Sequence, residues 1–301
     1  MMNKGILSLC LIFVSVVLFS FNTGPESVTQ TRPLRTIILD AGHGGQDVGA
    51  RGAYSFEKDI CLDITLKLGK KLEAEFPDLK VLYTRTTDVY PAIKARADFA
   101  NANKGDLFVS IHVNAAPKIR NSKFLGYRTE TYYTGKGKNR KKRTRKVPRY
   151  SVTYSPNPSR GTETYIWAAD RTDEKEKFVG TDVVAEEIFD STEYVPDVND
   201  PEFKAKALLW TKRYFDKSYL LASLVEEEFV KGGRPSRGVK QRNEKGIWVL
   251  QATSMPSILV ETGFISHKPD EDYLNSAAGQ DEIAENVLSA IRRYAQATGG
   301  K

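Results

Sequence analysis

The chain contains three histidines, His43, His112 and His267. Two of them close apolar runs. His43 follows Thr36–Asp40 and a short Ala-Gly step, and His112 ends the run LFVSIH from Leu107. If both runs are strands of one sheet, both imidazoles stand at its C-terminal edge, where open α/β sheets bind ligands. Gly42, Gly44 and Gly45 around His43 let the backbone turn sharply and expose the ring. Glu57 opens the segment that follows. Two imidazoles and one carboxylate form a known catalytic zinc shell that leaves a fourth position for water or substrate. Taken singly, each residue has a plainer reading. A histidine after a strand is usually a satisfied polar group, and a glutamate at a helix start complements the helix dipole. A second carboxylate, Glu261, ends the apolar run SILVE (Ser257–Glu261). Unliganded in the same crevice, it would move protons between water and a leaving amine. The plainer alternative is a salt bridge to one of the many basic residues.

The elements needed to place these residues are legible in the pattern. Thr36–Asp40, Val81–Thr84, Leu107–His112, Thr162–Trp167, Ile247–Gln251 and Ser257–Glu261 read as strands. Between Glu57 and Phe76, Ile60, Ile64, Leu68 and Leu72 recur every four positions, which predicts an amphipathic helix. Ile93–Ala102, Tyr219–Val230 and Asp281–Ala297 read as further helices. Strands alternating with helices predict one α/β domain with a twisted, mainly parallel sheet flanked by helices. Its bounds are about 35–297, with insertions at about 118–160 and 170–216.

Length and composition agree. At 301 residues, 40% hydrophobic and 28% charged, the chain can bury a large core. Lys4 followed by apolar Ile6–Phe21 has the pattern of a secretory signal within residues 1–24, or of an uncleaved anchor. A polar linker follows at 25–34. Cys10 leaves with the signal, so Cys61 has no disulfide partner and reads as a small buried apolar residue. The expected location is the periplasm or cell envelope.

The stretches LDAGHGGQDVGA, SFEKD, TRTTD, KARADFANANKGDLFVSIHVNAAP, RGTETY, RGVKQ and MPSILVETGFISH occur in one order over residues 35–117 and 161–297. Together they resemble the amidase-3 family, the zinc N-acetylmuramoyl-L-alanine amidases. The resemblance implies one Zn2+ per chain, held at His43, Glu57 and His112, with Glu261 as the catalytic residue. It implies hydrolysis of the amide between N-acetylmuramic acid and the L-alanine of the peptidoglycan stem peptide. Peptidoglycan is then the main partner, and a protein activator is another. The residues alone leave open a non-catalytic peptidoglycan-binding module and a zinc peptidase cutting within the stem. His267 offers a third imidazole for the metal. Its place before Pro269 favours a surface or capping role, so Glu57 is the expected third ligand. Arg85 and Asp88 are expected to organise a loop by ion pairing.

The net charge of +7 is local in origin. Residues 118–149 hold thirteen Lys or Arg against Glu130 alone, and the rest of the chain is acidic. The stretch Lys118–Arg160 shows no clear period and reads either as a solvated loop or as an attachment to an anionic wall polymer or membrane. Nucleic acid is not expected for an exported chain. Within Asp170–Asp216, Thr181–Phe189 reads as a short helix that either covers the metal or decorates the surface, with Pro196 and Pro201 marking a break.

Overall fold

A computed structural model describes residues 33–169, 172–179, 201–242 and 246–299. The signal segment and the helix expected at Thr181–Phe189 lie outside these residues. In chain order the elements are β1 (Thr36–Ala41), α1 (Glu57–Glu75), β2 (Lys80–Tyr83), α2 (Ile93–Ala102), β3 (Leu107–Asn114), β4 (Ile119–Thr134) and β5 (Lys141–Ser155). There follow β6 (Thr162–Ile166), α3 (Thr172–Val179), α4 (Pro201–Lys231), β7 (Ser236–Gln241), α5 (Trp248–Ala252), β8 (Ser257–Phe264), α6 (Lys268–Leu274) and α7 (Ala277–Thr298).

Six strands form one sheet in the order β2-β1-β3-β8-β6-β7. β2, β1, β3 and β8 are parallel. β6 pairs antiparallel with β8, and β7 runs parallel to β6. The sheet is therefore mainly parallel, as expected. Side chains alternate across each strand, so β1 feeds two cores. Ile37 and Leu39 pack with Ile60, Ile64 and Leu68 of α1 and with apolar residues of α4 and α7. Ile38 points the other way, to Ala97 and Ala100 of α2, Trp167 and Leu250. Each fully buried Leu or Ile contributes about 1.5–3 kcal/mol. α7 starts at Ser276, whose hydroxyl accepts from the Gly279 amide at 2.9 Å, and stops at Gly299 with φ +90°.

Three readings need correction. Trp248–Ala252 is a short helix, not the end of a strand from Ile247. A five-residue apolar run cannot separate the two by period alone. α4 begins at Pro201, well before Tyr219, so Pro201 opens a helix, where its fixed φ suits the first turn. Phe203, Ala207 and Tyr214 are buried along the added length. The basic stretch after Pro117 is no loop: β4 and β5 pair antiparallel from Ile119↔Ser155 to Thr134↔Lys141 as a long hairpin. No helix among the described residues is long and apolar enough to cross a membrane.

Candidate active site

The site lies at the C-terminal ends of three adjacent strands. β3 and β8 place His112 directly beside Glu261. β1 delivers the turn that carries His43. That turn demands unusual backbone: His43 itself has φ +58°, a left-handed conformation that a non-glycine residue adopts only when its surroundings impose it. Two buried arginines do so. Arg85 donates to the carbonyls of Ala41 (2.9 Å) and Gly42 (2.7 Å). Arg96 donates to those of Ala41 (2.7 Å) and His43 (2.6 Å). Arg96 is held by an ion pair with buried Asp40 at 2.7 Å, and Asp40 also accepts from Ser110 and Thr84. Of the two residues expected to organise this loop by ion pairing, Arg85 does so through carbonyl hydrogen bonds. Asp88 instead pairs with Lys58 at 2.5 Å and accepts from the Gly45 amide. Glycine is required where the rings close in. A Cβ on Gly42 would lie 2.5 Å from the His112 ring, and one on Gly49 would lie 2.6 Å from a Glu57 oxygen.

Glu57, first residue of α1, reaches between the two imidazoles. Its Oε1 lies 2.9 Å from His112 Nδ1 and 3.2 Å from His43 Nε2. The amides of Val113 and Ala50 donate to its two oxygens at 3.0 and 2.7 Å. One donor atom from each of the three residues lies within 4.8 Å of the others, the one such group among the described residues. A tetrahedral zinc shell with bonds of ~2.0–2.1 Å spaces its donors ~3.3 Å apart, so two imidazole nitrogens and a carboxylate fit the ion. His267 is outside this group. It precedes α6 as its N-cap residue and lies 3.3 Å from Asp270.

The electrostatics favour a cation at this point. Burial alone would lower the His43 pKa, but hydrogen bonds and charge from Glu57, then Asp47, outweigh it and raise the value to about 9. Burial works against a charged Glu57 too, yet His112 and His43 hold its carboxyl well below the usual range. A site that keeps a proton this firmly also favours a metal in its place, with release of protons on binding.

Asp47 carries no signal in the sequence, because its role depends on how the loop closes. Its Oδ2 is 2.8 Å from His43 Nδ1, and its Oδ1 accepts from Gly49 N at 3.1 Å. A proton on Nδ1 leaves Nε2 turned toward Glu57 and the centre. Asp47→Ala is expected to weaken metal binding ~10–100-fold, the usual cost of losing such a partner, without unfolding the protein. Chelator competition and a melting curve check both parts.

Glu261 faces the same pocket, a cleft of about 370 Å³ whose apolar side includes Ile93, Ile247, Trp248 and Leu259. It is buried, and its Oε2 has no hydrogen-bond partner among the described residues. Burial, opposed by His112 and reinforced by Glu57 and Glu163, raises its pKa to about 7. Such a carboxyl gains and loses a proton near neutrality. Glu163, its neighbour across β6, is also buried but tied off by Asn114, Tyr165 and Arg237. Of two adjacent glutamates, one is committed to structure and one is free to act.

A family model described as N-acetylmuramoyl-L-alanine amidase matches residues 37–293. The chain is 29% identical over 272 residues to N-acetylmuramoyl-L-alanine amidase AmiC of Escherichia coli O6:H1, covering 90% of this chain and 55% of that relative's own length. In structure it resembles an N-acetylmuramoyl-L-alanine amidase from Clostridium difficile 630, with TM-score 0.57 and 24% identity over 89% of this chain and 100% of that one. The CwlD amidase of Clostridioides difficile, solved in complex with the GerS lipoprotein, gives TM-score 0.55 and 22% identity over 87% and 99%.

Proposed function

We propose a function that proceeds from one premise: the chain belongs to the amidase-3 family, the N-acetylmuramoyl-L-alanine amidases. The reaction is hydrolysis of the amide between N-acetylmuramic acid and L-alanine in peptidoglycan. One observation carries the reading. A set of donors fit for zinc converges in the same pocket as a buried, unpartnered carboxylate.

About one zinc per chain would be held by His43, Glu57 and His112. Bound there, the metal supplies a Lewis acid that polarises the carbonyl and acidifies water to a pKa of about 7. The protein's own groups do the rest. Asp47 fixes the His43 tautomer, and Arg85 and Arg96 fix the loop. The apolar wall of Ile93, Ile247, Trp248 and Leu259 offers a surface against which substrate can pack. Glu261 takes the proton of the attacking water and passes it to the departing nitrogen as the C–N bond breaks. The products are a carboxylate on the sugar and a stem peptide with a free L-alanine amine. Action on this polymer places the enzyme in the cell envelope. A protein partner belongs to the same proposal, as the CwlD amidase was solved in complex with the GerS lipoprotein.

The test is digestion of purified peptidoglycan with and without a chelator, read by mass spectrometry. The expected result is release of stem peptides beginning with L-alanine, abolished by chelation and restored by zinc. Cleavage within the stem by the metal-loaded protein would make it a peptidase. Binding without cleavage would make it an attachment module.

A further inference from the structure

The hairpin β4–β5 is unlike the rest of the molecule. Its strands of 16 and 15 residues extend about 50 Å at ~3.3 Å per residue. They pair with each other, and neither packs substantially against another described element. Half of the large hydrophobic side chains exposed among the described residues are on it. Two lone strands are marginally stable in water, and exposed apolar area concentrated in this way marks a contact surface.

The register sorts the side chains. Residues directly opposite share a face, and the irregularity between Phe124 and Gly126 restores the alternation along the hairpin. One face carries Tyr154, Phe124 opposite Tyr150, and Tyr127 opposite Pro148. Phe124 meets Tyr127 and Tyr150 edge-on at 5.2 and 5.6 Å. The other face carries Lys123, Arg128, Lys141, Arg143, Arg145 and Arg149. Glu130 is the one acid there, shared by Arg145 at 2.7 Å and Arg128 at 4.0 Å. The hairpin thus has an aromatic side, which also carries Arg120, Lys142 and Lys146, and a more strongly cationic side, which also carries Tyr132, and both are exposed.

Its root adjoins the site. β3 ends at Asn114, which lines the pocket, and β4 starts five residues later. β5 returns to β6, where Glu163 stands opposite Glu261. A ligand lying along the base of the hairpin is therefore continuous with the pocket. We propose that the hairpin is a binding arm for polymeric peptidoglycan. Its cationic face takes the carboxylates of neighbouring stem peptides, and its aromatic face stacks on sugar rings. This rests on the amidase reading, which makes that polymer the substrate. Charge suits either anionic partner, and the root shared with the pocket selects the polymer over a lipid surface. Electron-rich ring faces suit the C–H edges of sugars, and a cationic stripe raises the local concentration of an anionic polymer.

The test uses the full chain in three forms. These are wild type, a cationic-face variant with Lys123, Arg128, Lys141, Arg143, Arg145 and Arg149 changed to Thr, and an aromatic-face variant with Phe124, Tyr127, Tyr150 and Tyr154 changed to Thr. Threonine keeps the strand preference, and unchanged melting confirms the fold. Each form is pelleted with sacculi stripped of lipid and accessory polymers, and with phosphatidylglycerol vesicles. Each is also assayed on sacculi and on a soluble disaccharide-peptide. Wild-type binding to sacculi should weaken with salt. Both variants should lose at least 10-fold in sacculus affinity, with a raised KM on sacculi and an unchanged rate on the soluble substrate. Sacculus binding equal to wild type overturns the arm. Loss of vesicle binding with sacculus binding intact overturns it in favour of a membrane. If wild type cuts neither substrate, the amidase reading fails while the pelleting result still judges the arm.

Discussion

Glu261→Gln protein keeps its metal at the wild-type level and cleaves peptidoglycan ~10²–10⁴-fold more slowly, the usual worth of a positioned general acid–base. Glutamine preserves shape and volume but cannot accept the proton. The expectation rests on position: Glu261 lines the pocket, yet the three donors that fit a metal are elsewhere. It also fixes a pH dependence. Burial raises this carboxyl to about 7, and the base works only when deprotonated. Activity should therefore rise with pH through an acid limb. A cation in the same pocket would lower the value, so the limb falls at or below about pH 7, and it should be absent from the residual rate of the variant. Metal analysis beside kcat/KM from pH 5 to about 9 decides the matter. Loss of metal on this substitution would make Glu261 a ligand. A rate equal to wild type would remove it from the chemistry.

His43→Ala and His112→Ala are expected to have a larger effect, loss of both bound zinc and detectable cleavage. Each removes one of three converging donors, and Glu57 then keeps only one imidazole partner beside it. With two protein donors left, the three-ligand shell of a catalytic zinc site is gone. His267→Ala should leave both zinc and activity intact, because that residue occupies the N-cap position of α6, outside the group. Zinc content by elemental analysis, with melting curves as a control for folding, tests all three. Full activity in metal-free His43→Ala protein would end the metal reading, and zinc loss from His267→Ala would show a different ligand set.

The fold and the centre of the site were legible for a shared reason. A buried parallel strand must be apolar over its length, so the polar residue that ends it stands out. His112 after LFVSI and Glu261 after SILV are of this kind. Glu57 was legible because it opens a helix of clear period. What escaped lacks that contrast. The hairpin buries neither face, so its strands lack the continuous apolar run that marks the central strands of the sheet. β7, SRGVKQ, is a polar edge strand known by its pairing with β6. Asp47 and the arginine clamp act on backbone groups and ring nitrogens that only the folded turn brings within reach.

The sheet order has a consequence for how the enzyme is made. His43, Glu57 and His112 all precede Glu261 in chain order, and Glu261 arrives with β8, which pairs with β3 on one side and β6 on the other. The last strand of the sheet to leave the ribosome is thus not added at an edge but fits between two others, joining contacts far apart in sequence, the slowest kind to form. A nascent chain, or one cut short before β8, holds His43, Glu57 and His112 without Glu261 and with the sheet divided. Any proton transfer that depends on Glu261 therefore waits until β8 has been inserted between β3 and β6.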